Sequence, residues 1–182
     1  MRLFLAVKIP DEIKGSIAHF LEPFLGIRAK VKWVEPQNLH LTLKFLGETP
    51  ESRLPDLKEA AQMVAIDPFE LTLSGSGAFP NLKAPRVFWI GVKEPEKRLT
   101  QLAEQIDYNL SQFGWEREKR RFSPHLTLGR VKDRSGLAEV CRAFEQAQFE
   151  AATYRVDSFY LVESQLQRSG PIYTDLVRFK LD

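Results

Sequence analysis

Two histidines in this chain are each followed, two residues later, by a threonine. The tetrapeptide His-Leu-Thr-Leu stands at 40–43 and again at 125–128, in a chain with only three histidines and seven threonines. On a β-strand successive side chains point to opposite faces. His40 and Thr42 therefore share one face and Leu41 and Leu43 the other, and His125, Thr127, Leu126 and Leu128 divide in the same way. Each strand would bury its leucines and present an imidazole beside a hydroxyl. One His-x-Thr alone reads as a half-exposed strand pair; two identical copies read as a site.

That set suits displacement at a phosphodiester. In-line attack on phosphorus needs a base for the incoming oxygen and an acid for the departing one, and imidazole serves as either near neutral pH. The threonine hydroxyls would donate to the non-bridging oxygens, where negative charge is concentrated. A metal centre fits poorly, because the two histidines lie 85 residues apart and no carboxylate adjoins either motif. Neither metal nor cofactor is expected, and no Gly-x-x-x-x-Gly-Lys-Ser/Thr loop is present to seat a nucleoside triphosphate. His19 has no threonine partner and reads as a surface or packing residue on a helix.

The elements that must carry the motifs follow from hydrophobic periodicity. Residues 2–9 alternate as a strand, and Pro10 with Asp11 and Glu12 opens a helix to about Leu25. Residues 31–34 and 39–46 read as strands around a turn at 35–38, and 51–66 as a helix. Strands at 69–73 and 87–92 flank a Gly/Ser/Pro-rich stretch, 74–85, that reads as a loop. In the second half, helices at 96–113 and 133–148 bracket a strand at 122–131. Strands at 149–162 and 173–181 close the chain around a polar turn at 163–171. The repeated tetrapeptide and the repeated element order imply an α+β fold of two related lobes, with antiparallel sheets and outer helices. No linker separates them, so residues 1–182 are expected to form one bilobal domain.

Composition sets looser bounds. A balance of 26 basic to 24 acidic residues gives a net charge of +2, which favours a small or terminal anionic substrate over a coated duplex. The single cysteine, Cys141, forms no internal disulfide and reads as a buried core thiol. No membrane-length apolar run or secretory leader is visible, so a cytoplasmic monomer without an obligate protein partner is expected.

The chain resembles the two-histidine (2H) phosphoesterases, and among them the bacterial and archaeal RNA 2′,3′-cyclic phosphodiesterases, also described as 2′-5′ RNA ligase-like. The resemblance runs nearly end to end, through RLFLAVKIPDEI, KWVEPQNLHLTLKFLGE, GAFPNLKAPRVFWIGV, RRFSPHLTLGRV and ESQLQRSGPIYTDL. It implies two pseudo-symmetric lobes around a central cleft, and metal-free chemistry by His40 and His125 with Thr42 and Thr127 binding phosphate. By the same resemblance His40 is the acid that protonates O3′ and His125 the base that activates water. It further implies that Phe45 stacks on the terminal base and that Arg130 contacts the phosphate. Regular alternation puts Phe45 on the face opposite His40, so that role requires a twist or a bulge. The basic run Arg117 to Arg121 is either a guide for RNA phosphates or a solvated loop, and Trp33 and Tyr173 read more readily as core than as cleft.

The leading expectation is hydrolysis of RNA or nucleotide 2′,3′-cyclic phosphates to 2′-phosphates. The alternatives are ATP-independent 2′-5′ joining of RNA ends by the same residues, and a non-catalytic RNA- or nucleotide-binding module of the same fold.

Overall fold

The computed structural model describes residues 1–94 and 97–182. The chain begins with β1 (Arg2–Lys8) and α1 (Asp11–Leu25). Pro10 precedes the helix, its carbonyl accepting the Lys14 N–H at 2.9 Å, and Ile13, Ile17, Leu21 and Phe24 make the buried stripe. Next come β2 (Val31–Trp33), a 3-10 turn at Pro36–Asn38, and β3 (His40–Glu48). The helix expected over 51–66 is shorter: a 3-10 turn leads into α2 (Leu54–Gln62), where Pro55 occupies the first turn, the helical place that tolerates proline.

β4 (Phe69–Phe79) and β5 (Val87–Lys93) form a long antiparallel pair. Here the sequence reading needs correction, because residues 74–79 are strand and not loop. Their glycines fit the pairing: Gly75 takes φ +73° at an irregularity in register, and a Cβ on Gly77 would sit 2.5 Å from the Trp89 ring. α3 (Arg98–Gln112) follows; Glu96, expected in this helix, lies outside the described residues. β6 (His125–Val131) starts after Pro124, and α4 (Leu137–Gln146) carries Cys141. Cys141 is only partly buried, at the edge of the core. Burial, with the charge of Glu145 adding to it, pushes its thiol pKa up.

The stretch 149–162, expected as one strand, is two strands in different sheets: β7 (Ala152–Val156) and β8 (Ser158–Gln167), meeting at Asp157. The polar turn expected at 163–171 is likewise mostly strand. β8 pairs with β9 (Gly170–Lys180) out to Gln167 and Gly170, leaving a two-residue loop.

Two all-antiparallel sheets result, ordered β3-β1-β8-β9 and β2-β6-β5-β4-β7. The lobes are not the two halves of the chain. β2 leaves the N-terminal half to flank β6, and β8 returns to flank β1 with β9 beyond it. The sheets and helices share one hydrophobic core that includes all four motif leucines, Leu41, Leu43, Leu126 and Leu128. Trp33 belongs to it, with ring centroids 5.9 Å from Phe24 and 5.4 Å from Phe88. Among the described residues no helix is long and apolar enough to cross a membrane.

Candidate active site

β3 and β6, one from each sheet, approach each other, and their outward faces line a cleft of about 1130 Å³. His40, Thr42, His125 and Thr127 all line it and all are partly buried, while the leucine between each pair is buried. The alternation read from the sequence thus holds over both tetrapeptides.

Past the threonines alternation fails, and the first break falls at the same place in both strands. On β3 the register against β1 passes from Ala6↔Thr42 to Leu5↔Lys44, leaving Leu43 bulged. On β6 the register against β5 passes from Trp89↔Thr127 to Phe88↔Gly129, leaving Leu128 bulged. A bulge inserts one residue and reverses the facing of the residues that follow it, up to the next irregularity, which in β3 comes at Leu46. Phe45 and Arg130, each five residues past its histidine, therefore face the cleft with His40 and His125. Phe45 is 64% exposed, its ring centroid 6.2 Å from Phe4. Arg130 is exposed and has no hydrogen-bond or carboxylate partner among the described residues, so its guanidinium is available.

Both imidazoles are oriented by main chain. His40 Nδ1 lies 2.7 Å from the Asn38 carbonyl oxygen, and His125 Nδ1 lies 2.7 Å from that of Ser123. A carbonyl only accepts, so each Nδ1 carries the proton it donates, and Nε2 is the nitrogen left to exchange protons. Asn38 is itself anchored, its Nδ2 donating to the Pro171 carbonyl on β9 at 3.1 Å.

The surroundings of the two rings differ. His40 packs on Phe4 and Tyr173, with centroids at 4.8 and 5.2 Å, whereas His125 meets Phe79 edge-on at 5.0 Å. Burial holds the His40 pKa below the usual imidazole value, against the pull of its hydrogen bond to Asn38. The positive charges of Lys14 and Arg130 lower it further. Tyr173, which reads as core in the sequence, is half-buried in the cleft wall, and burial raises its phenol pKa. It stands opposite Ser164 in the β8–β9 hairpin, which continues through residues where a turn was expected.

The basic run divides. Arg117 Nε donates to Asp107 at 2.9 Å, and Lys119 pairs with Glu116 at 3.0 Å, while Arg120 and Arg121 line the cleft unpaired among the described residues. Beneath this segment Lys44, 4% exposed, donates to Asp107 at 2.6 Å and to the Glu116 carbonyl at 2.9 Å. Burial works against the Asp107 charge, but Lys44, the Glu118 N–H and Arg117 together hold its pKa below the ordinary 3.8. His19 lies exposed on α1, outside the cleft lining, and among the described residues no cluster of three or more His, Cys, Asp or Glu could hold a metal ion.

The chain as a whole is similar to several known proteins. The RNA 2′,3′-cyclic phosphodiesterase of Archaeoglobus fulgidus is 42% identical over 181 residues, covering 99% of this chain and 100% of that protein. The RNA 2′,3′-cyclic phosphodiesterase of Methanothermobacter thermautotrophicus is 36% identical, covering 100% and 99%. Among solved structures, E. coli LigT complexed with 3′-AMP superposes with a TM-score of 0.79 at 30% identity, over 99% of this chain and 97% of that one. The family model of the 2′-5′ RNA ligase superfamily matches residues 9–168. With that match spanning both motif strands and both sheets, the chain belongs to the 2′-5′ RNA ligase superfamily.

Proposed function

We propose that this chain hydrolyses the 2′,3′-cyclic phosphate at RNA ends to a 2′-phosphate without a metal, using His40 and His125 as acid and base. The observation that carries the reading is the matched latching of the two imidazoles. Each donates a hydrogen bond from Nδ1–H to a carbonyl two residues upstream, which leaves both Nε2 atoms to serve one cleft. The full-length likeness to two RNA 2′,3′-cyclic phosphodiesterases supports the substrate class.

In this mechanism His125 Nε2 takes a proton from water as its oxygen attacks phosphorus. The P–O3′ bond breaks, and His40 Nε2 gives its proton to O3′. The P–O2′ bond remains, so the product is a 2′-phosphate, and His125 holds the proton that His40 has lost. Exchange with solvent resets the pair. Thr42, Thr127 and Arg130 donate to the non-bridging oxygens, a fork of guanidinium donors suiting the oxyanion. Phe45 offers its exposed ring to the terminal base. Burial keeps His40 neutral to lower pH in the free protein, and the anionic phosphate of the substrate restores the proton the acid role requires. All four motif side chains are partly open to solvent, so water outcompetes an RNA hydroxyl and hydrolysis prevails over end joining.

The test is a short RNA ending in a 2′,3′-cyclic phosphate, incubated with the protein in excess EDTA, followed by assignment of the product phosphate. A 2′-phosphate is expected. A 3′-phosphate, or turnover that stops with EDTA and returns with added metal, would overturn the mechanism; binding without turnover would point to a binding module.

A further inference from the structure

Phe45 is a ridge with space on both sides. On one side is the cleft; on the other is a groove of about 560 Å³ between β3 and the segment leading to β6. Its lining includes Lys44, Leu46, Trp115 and the residues up to Arg120, and it joins the cleft through Phe45 and the basic segment. The chemistry above makes no use of it.

This groove is held open by its own bonds. The Trp115 N–H donates to the Leu110 carbonyl at 3.1 Å, and the Arg53 guanidinium lies 4.0 Å from the Trp115 ring centroid. Lys44 holds the Glu116 carbonyl, while Asp107 holds Arg117 Nε at 2.9 Å and the Glu118 N–H at 3.0 Å. Four consecutive wall residues, 115–118, are thus fixed from behind. The groove carries aromatic surface from Phe45 and Trp115, and at its rim the cation of Arg120, unpaired among the described residues. Aromatic surface beside a free cation matches the base and phosphate of single-stranded nucleic acid.

An RNA whose terminal phosphodiester sits between the two histidines must leave the cleft by the 5′ side of its last nucleotide. We infer that the groove behind Phe45 is a second-nucleotide subsite: it takes the base 5′ to the terminal nucleotide against Trp115 and the intervening phosphate against Arg120. This rests on the RNA-end reading given above. It makes the chain selective for oligonucleotide ends over mononucleotide cyclic phosphates, through contacts that touch no reacting atom. The stacking of one base on an aromatic ring is expected to favour the longer substrate by about 5- to 150-fold.

The experiment compares kcat/KM for a dinucleoside 2′,3′-cyclic phosphate with that for the mononucleoside 2′,3′-cyclic phosphate, in the wild-type chain and in Trp115→Ala and Arg120→Ala. The wild type should prefer the dinucleotide. Trp115→Ala should abolish most of that preference while leaving the mononucleotide kcat/KM unchanged. Arg120→Ala removes an exposed side chain, so it keeps the test intact if Trp115→Ala does not fold; it should reduce the preference and weaken its dependence on salt. Equal kcat/KM for both substrates in the wild type would overturn the subsite while leaving cyclic phosphate hydrolysis standing. An equal loss on both substrates in Trp115→Ala, with the preference retained, would make Trp115 a structural support and overturn the subsite too. No turnover of either substrate would overturn the underlying reading instead.

Discussion

At the scale of single residues the two histidines share one orienting device but differ in environment. His40→Ala or His125→Ala should each lower kcat by about 10²- to 10⁴-fold, the usual worth of a positioned acid or base, with RNA affinity largely kept. The two also make a pH prediction. If His40 is the acid, activity is lost as pH rises through its pKa. That pKa is lowered by burial in the free protein and raised again by bound phosphate. The alkaline limb of kcat/KM, which reports free enzyme, should therefore lie at lower pH than the alkaline limb of kcat. A displacement on the acidic limb instead would make His40 the base. The four motif residues could be read from the sequence because their face depends only on alternation. Phe45 and Arg130 could be named from the family resemblance, and alternation showed that Phe45 needs a twist or bulge to reach the cleft, but the place where the facing reverses could not be read. It depends on the bulges at Leu43 and Leu128, and a bulge is a property of the pairing with β1 and β5, which the local string of residues does not encode.

At the scale of elements the bulges place two further residues in structural roles. After the bulge in β3, Lys44 is buried against Asp107 of α3, linking the first motif strand to the segment that precedes the second. The Asp107 pKa is depressed in the folded chain, so its stabilising contribution is complete above the unfolded value and fades as pH falls through the folded one. Thermal midpoints followed from pH 5 to pH 2 should drop in the wild type and drop less steeply in Asp107→Asn, which should be less stable at neutral pH. In β6 the corresponding residue is Gly129, where a Cβ would stand 2.6 Å from the Trp33 ring. That ring is fixed between Phe24 and Phe88 and cannot retreat. Gly129→Ala should cost about 1–3 kcal/mol of overpacking, seen as a fall of roughly 2–12 °C in Tm by calorimetry. Helices with a clear 3.6-residue stripe were legible at this scale, α1 above all. The far end of β4 and the tip of the β8–β9 hairpin were not. Their glycines and polar residues are the currency of loops, and only the partner strand makes them sheet.

At the scale of the whole molecule, the repeat in the sequence announced two lobes but not how they are laced. Strand partners far apart in the chain leave no local mark, so the placement of β2 beside β6 and of β8 beside β1 was out of reach. Because each sheet borrows strands across the midpoint of the chain, neither half holds a complete sheet. We expect the protein to unfold in one cooperative transition, with calorimetric and van't Hoff enthalpies agreeing, and fragments 1–94 and 95–182 to remain unfolded when made separately. Two resolved transitions would show lobes that fold independently. The same lacing has a consequence for synthesis. β1 and β3 are made before β8 and β9, so the wall holding His40 is complete only after residues 170–180 have left the ribosome. A chain truncated before these strands is therefore expected to be catalytically silent, so the fold ties a nucleic-acid-processing activity to the presence of β8 and β9.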